Sequence, residues 1–203
     1  MKFALLIFGG FVALLMFVVF GIGSWGLGVY NTINKEAVNV DAQWGNLQST
    51  YQRRNDLIPN FVNTVKGAAK FEGDTLTNIA KARASVGQVT IQQNKAPESA
   101  EQLQSFEKAQ GNISQALSRL MMVTENYPAL KATQQYANLT IELEGTENRI
   151  SVERRNYNGV VKKYNQVIVG FPNSLIAGFF NFKSKPFFKA DESAQSAPVV
   201  KFD

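Results

Sequence analysis

YQRRNDLIPNFV, residues 51–62, sets two adjacent arginines and a proline inside what is otherwise a stripe of apolar residues. Around it, Tyr30, Ile33, Ala37, Val40, Trp44, Leu47, Tyr51, Arg54, Ile58, Phe61, Val65 and Ala68 recur at alternating steps of three and four. That spacing brings each residue back to one face of a helix, so it predicts one long helix packed along that face. Arg54 falls on the stripe and needs a partner; Arg53 falls beside it and reads as solvated. Pro59 lacks an N–H and crowds the carbonyl of Asn55. Because the stripe keeps its register on both sides, a kink is expected and not a break.

A second stripe of the same kind runs Tyr136, Thr140, Leu143, Glu147, Ile150, Arg154, Tyr157, Val161, Tyr164 and Ile168, and stops at Gly170-Phe171-Pro172. If the two helices run antiparallel with Ile33 level with Ile168, Arg54 falls opposite Glu147, Trp44 beside Tyr157, and Val65 beside Tyr136. The alignment is taken from the ends, so the meeting of opposite charges midway is not imposed. A lone charge in a core costs several kcal/mol, roughly 3–5 when one partner of a pair is removed, whereas a paired one roughly breaks even. Arg54 with Glu147, and Arg83 and Arg154 nearby, are therefore expected to form a structural ion network that fixes which helix faces which. On this basis Arg54→Met alone strands Glu147, and the double replacement with Glu147→Leu recovers much of the loss. The rival is an anion site built from the same arginines with Asp56.

Two helices lie between. One begins near Asp74, a suitable cap ahead of Leu76, Ile79, Arg83 and Val86. After a loop from Thr90 to Pro97, the next carries Leu103, Phe106, Gln110, Ile113, Leu117, Leu120 and Thr124 and ends at Tyr127-Pro128, with Pro128 suited to the first turn of the last helix. The predicted fold is all-α: an N-terminal transmembrane helix continuous with an antiparallel four-helix bundle of long helices.

From Phe3 to Phe20 every residue is apolar or glycine, and the first charge after Lys2 is Lys35. About 20 apolar residues cross a bilayer, whereas a cleaved signal has an apolar run of about 7–15 ending at small residues. An uncleaved anchor is the better fit. Trp25 and Tyr30 suit a membrane edge. Lys2 and the terminal amine on one side against Lys35 on the other give a slight bias to an extracytoplasmic domain.

The chain of 203 residues has no cysteine and no histidine, which excludes thiol chemistry, imidazole-based triads and Cys/His zinc ligation. No cofactor is implied. Its net charge of +5 is spread along the chain, pointing to no nucleic acid partner and favouring anionic lipid. Glu125, Glu142, Glu144 and Glu147 could supply paired carboxylates to an enzyme, but glutamates closely spaced on one helix do not make a cleft.

The tail FPNSLIAGFFNFKSKPFFKA, residues 171–190, interleaves phenylalanines with Lys183, Lys185 and Lys189. In the antiparallel topology it emerges beside the bilayer. Phe179, Phe180, Phe182, Phe187 and Phe188 with those lysines then either enter the headgroup boundary or fold back onto the bundle. The chain thus divides into a transmembrane anchor (1–30), a helical bundle domain (31–170), a Phe/Lys-rich interfacial or packing tail (171–190) and a disordered C-terminus (191–203).

The anchor followed by Tyr30-Asn31 and Trp44, then QRRNDLIPNFVNTVK (52–66), AKARA (80–84), ENYPALKA (125–132), ELEGTENRI (142–150), RRNYNGVVKKYN (154–165) and FPNSLIA (171–177), resembles the LemA family of bacterial membrane proteins. The likeness covers about residues 28–188. It implies a single-pass membrane protein with a helical bundle, points toward membrane proteases and membrane-shaping relatives as associations, and supplies no reaction. The expected function is a noncatalytic scaffold in contact with the lipid bilayer that assembles with its own copies or with a membrane protein partner; an adaptor for an envelope ligand or membrane protease is the alternative.

Overall fold

The computed structural model describes residues 2–68, 73–87 and 95–189. The described residues form helices and connecting segments without a strand: α1 (Lys2–Ala68), α2 (Gly73–Gly87), α3 (Ala100–Thr124), α4 (Pro128–Lys131), α5 (Gln134–Val169) and α6 (Asn173–Phe179). The stripe around Tyr51 lies along one uninterrupted helix: Ile33, Val40, Trp44, Leu47, Arg54, Ile58, Phe61 and Val65 are all buried. Pro59 sits within α1 without ending it. With 67 residues the helix is about 100 Å long.

α1 packs most extensively against α5, and α2 lies along α3. Glu36 meets Lys163, Trp44 meets Tyr157, Arg54 meets Glu147 and Phe61 meets Tyr136. Numbers on α5 fall as those on α1 rise, so the two helices run in opposite directions. α3 also opposes α5, because Glu107 binds Arg154 while Thr124 meets Tyr136.

Between these helices the core is in two parts. The part nearer the N-terminal segment contains Val40, Trp44, Tyr51, Phe106, Ile150 and Tyr157. The distal part contains Ile58, Phe61, Ile113, Leu120, Tyr136 and Leu143. Arg54 of α1, Gln110 of α3 and Glu147 of α5 occupy the layer that separates them. Arg54 is 1% exposed, and its Nη1 donates to Glu147 Oε1 at 2.7 Å and to Ser114 Oγ at 2.8 Å. Its Nη2 donates to both the side-chain and main-chain oxygens of Gln110. Glu147 is different: its side chain is 43% exposed, on a groove that also touches Ser114, Met121, Leu143 and Asn148.

Two details depart from the sequence expectation, at Pro128 and at Arg83. Pro128 opens the separate short helix α4, and α5 begins only at Gln134, where Thr133 accepts a hydrogen bond from the Tyr136 amide. A threonine hydroxyl satisfies an otherwise orphaned amide, which proline cannot do, so the chain restarts there. α3 has its own cap in Ser99, which accepts from the Gln102 amide. Arg83 does not join Arg54; it lies exposed on α2. The side chain of Asp74, the expected cap of α2, most of the loop from Thr90, and residues 191–203 with their expected disorder lie outside the described residues.

The unequal burial of the pair corrects the expectation that removing Arg54 is the costly step. Arg54→Met leaves a carboxylate that water can reach. Glu147→Leu leaves a buried guanidinium without its counter-charge, at a cost of about 3–5 kcal/mol. Urea unfolding in detergent micelles should rank Glu147→Leu as the more damaging single change, with Arg54→Met added to it restoring part of the loss. Equal and additive effects would mean that the contact carries no coupling.

Candidate functional site

The base of the bundle, where α5 returns to the end of the N-terminal apolar segment, gathers most of the aromatic residues singled out above. α5 ends at Val169 with Gly170 as its cap, and α6 then packs across α1 and α5. Next the chain reverses at Asn181, whose φ of 57° lies in the left-handed region that asparagine tolerates better than most residues. From 182 to 189 it is extended without regular secondary structure and climbs back along α5.

Two asparagines of α5 hold this strap. Asn158 donates to the Phe188 carbonyl and accepts from the Phe188 amide, both at 2.9 Å. Asn165 makes the same pair of bonds to Lys185, again at 2.9 Å. The match is geometric: seven helical residues rise about 10.5 Å, and three extended residues span about 10 Å. A carboxamide offers one acceptor and two donors, so it can serve a backbone amide and carbonyl together as a neighbouring strand would. The Tyr164 hydroxyl adds a bond to the Lys183 carbonyl at 3.0 Å.

Side chains of the strap complete the bundle. Phe188 is 6% exposed, and its ring packs on those of Trp44 and Tyr157. The Arg154 guanidinium, bound to Glu107, lies 4.5 Å from the centre of the same ring. Lys185 reaches Asp41 at 3.7 Å, and Asp41 also accepts the Ala96 amide at 2.9 Å, so α1 gathers the strap and the segment before α3 at one carboxylate. Lower down, Tyr30 packs against Phe180 and Phe182 at ring separations of 4.7 and 5.8 Å.

These positions sort the candidate membrane residues. Trp25, Tyr30, Phe179 and Phe180 lie at the level of the apolar segment's end. Phe182 is half-buried against Tyr30, and Lys183 is exposed at the foot of the strap. Phe188 is a correction: its ring belongs to the core, not to a lipid surface. Phe187 and Lys189 are exposed but held far up the strap beside Asn158. The reason is the reversal at Asn181, which turns the chain away from the apolar segment. Lys185 is occupied with Asp41. Arg54, Glu147 and Arg154 are brought into neighbouring contacts on one side of the bundle, and Arg83 is not. Asn158 and Asn165 were missed by the search for apolar stripes because they flank the stripe of α5. Their sevenfold spacing was the available signal.

Burial and hydrogen bonds shift several ionisable groups here. Burial pushes the Tyr51 hydroxyl up to about 12 and also raises Tyr157 and Tyr164, which the charge of Asp41 raises further. These phenols stay protonated at neutral pH. A hydrogen bond from Lys163 holds the buried Glu36 below the ordinary carboxylate range, against the effect of burial. Glu142 and Glu144 are exposed on α5, Glu144 beside Glu147 on the same groove, and Glu125 pairs with Lys131 at 2.7 Å, so the four glutamates considered for catalysis are not gathered in one place.

Asn158→Ala and Asn165→Ala should each weaken the strap by about 1–3 kcal/mol. Hydrogen exchange should show lost protection at the Lys185 and Phe188 amides while α5 keeps its own; unchanged protection would mean the asparagines do not hold the strap. For Glu36, a lowered folded value stabilises above the unfolded carboxylate range and that contribution is lost as pH falls. The stability difference between the native chain and Lys163→Met should therefore shrink on acidification, read from urea midpoints at neutral and acid pH. A constant difference would show that the pair does not titrate with folding.

Comparison with known proteins places this geometry in context. The sequence model of the LemA family matches residues 43–202. Magnetosome protein MamQ 2 of Paramagnetospirillum magneticum is 25% identical over 186 residues, covering 84% of this chain and 68% of that protein. Protein LemA of Metamycoplasma hominis is 25% identical over 146 residues, covering 72% of this chain and 62% of its own. Magnetosome protein MamQ of Magnetospirillum gryphiswaldense is 29% identical over 92 residues, 45% of this chain and 34% of that protein. The family match takes in the Arg54 layer, both strap asparagines and α6, and with it the chain belongs to the LemA family.

Proposed function

We propose that the protein is a single-pass, membrane-anchored, noncatalytic scaffold of a bacterial membrane. Its anchor continues without a joint into an antiparallel four-helix rod assembled from α1, α2, α3 and α5. The observation that carries this is the change of surroundings along one helix. From Ile7 to Phe20 the apolar side chains of α1 are exposed, and from Tyr30 to Val65 the striped positions are buried or half-buried by the bundle. The exposed segment is long and apolar enough to cross a membrane. A rigid helix shared by both parts makes the rod follow the tilt of the anchor.

Apolar side chains left exposed along the rod, Val38 near its base and Met122 and Ile141 farther up, offer isolated contact points on different helices. We assign the rod to assembly with further copies of itself. Relatives in two bacteria are named as magnetosome proteins. The second reading is an adaptor, in which the same faces bind one membrane protein. The slight excess of positive charge at the N-terminus favours an extracytoplasmic rod.

The chain has no cysteine of its own, so single-cysteine variants report cleanly. Val38→Cys, Met122→Cys and Ile141→Cys, each crosslinked in native membranes, should give a ladder of self-products. One discrete product with a different protein would establish the adaptor instead, and monomer at all three positions would overturn assembly through these faces. A membrane-impermeant thiol reagent on intact cells should label Met122→Cys if the rod is extracytoplasmic, and spare it if it is not.

A further inference from the structure

α6 carries a surface that the bundle does not use. Its sequence, NSLIAGF, contains no charge. Ala177 is buried, and Ile176 packs against the core near Gly26 of α1, where a β-carbon would come within 3.4 Å of the Ile176 Cδ1. Ile176 thus lies at the height of Gly26 on the rod. On the other side, Leu175 and Phe179 stand four apart on the helix and Phe171 lies in the turn just before it, and the two phenylalanines are each 83% exposed. Leu175 between them is also exposed, as are Val169 and Phe180 at the edges.

The height of this surface is informative. Ile176 at Gly26 and Phe180 at Tyr30 put α6 beside the last turn of the exposed apolar segment, just where α1 passes into the bundle. Phe20 and Leu27 on α1 are exposed as well, so the apolar surface of α6 continues that of the segment. Charge points the same way. Between Arg154 and Ala190 there is no acidic residue, and Lys162 and Lys183 stand exposed on the bundle side of α6, whereas Lys163 is paired with Glu36 of α1. An uncharged apolar ridge below lysines matches the layering of acyl chains under anionic headgroups. A contiguous exposed apolar surface of this kind otherwise marks a liability in water.

We infer that α6 is a foot that lies in the plane of the bilayer, with Phe171, Leu175 and Phe179 bedded at the boundary between headgroups and acyl chains. The inference rests on α1 being the bilayer-spanning anchor. It differs from an interfacial role for the whole tail, because the strap beyond Asn181 leads upward and only α6 stays at lipid level. Anchor and foot together give the rod two points of attachment, which resists rotation of the bundle about the anchor axis.

The test uses the full chain with single cysteines, Phe17→Cys, Leu175→Cys, Phe179→Cys and Met122→Cys, each labelled with an environment-sensitive fluorophore and reconstituted into vesicles of phosphatidylcholine and phosphatidylglycerol. Labels at 175 and 179 should show blue-shifted emission and lose intensity to nitroxides placed high on the acyl chain. The label at 17 should lose most to nitroxides near the chain end, and that at 122 only to iodide in the water. If 175 and 179 answer to iodide and not to lipid, the foot stands in water and the inference fails. Protection of both from lipid and iodide alike would show a second copy or another protein on this surface, which also overturns it. A label at 17 that no lipid quencher reaches would refute the anchor, and the foot with it, whereas quenching at 17 without quenching at 175 and 179 sinks the foot alone.

Discussion

One buried guanidinium governs how the long helices meet. Arg54 has its charge answered by Glu147, and its two terminal nitrogens are bonded to Glu147, Ser114 and Gln110 while Nε has no partner, so three helices must arrive at one height for those bonds to form. Slipping α5 by a turn, about 5.4 Å, would bury the charge against aliphatic side chains. Apolar packing alone tolerates such slips far better, because many leucine, isoleucine and valine contacts are interchangeable. The pair adds little net stability for its burial, but it makes alternatives expensive. Its position between two apolar clusters means that each cluster is registered by the same layer.

The strap solves a different problem. A segment with no helical or sheet partner still has backbone amides and carbonyls to satisfy. Asn158 and Asn165 supply them from a helix surface, and Phe188 supplies the buried area that offsets the entropy of ordering the segment. Arg154 links the two systems, because it binds Glu107 on α3 and lies against the Phe188 ring. Loosening the strap therefore uncovers Trp44 and Tyr157, in the same apolar cluster that Tyr51 and Phe106 extend toward Arg54.

The long helices were legible because periodicity is a local property of sequence. α1 and α5 each carry a stripe over ten or more positions, and aligning their membrane ends was enough to bring Arg54 to Glu147. What could not be read is the burial of the pair's two halves, since exposure of Glu147 depends on how far apart α3 and α5 stand. Pro128 misled because it suits any helix start, and only the hydroxyl of Thr133 distinguishes the true beginning of α5. The tail was ambiguous for a physical reason: phenylalanine is equally suited to a core and to a membrane edge. Its fate was decided by the turn at Asn181 and by two asparagines distant in sequence, which no composition argument weighs.

The absence of a joint between the apolar segment and the bundle has a mechanical consequence. From Tyr30 to Ala68 α1 extends about 57 Å. Spanning helices adjust to hydrocarbon thickness by tilting, commonly by about 20°. Carried along a stiff arm of that length, a tilt of this size displaces the far tip sideways by about 20 Å. Once the anchor is embedded, a change in lipid composition too small to alter any contact within the protein becomes a change in where its distal end can reach.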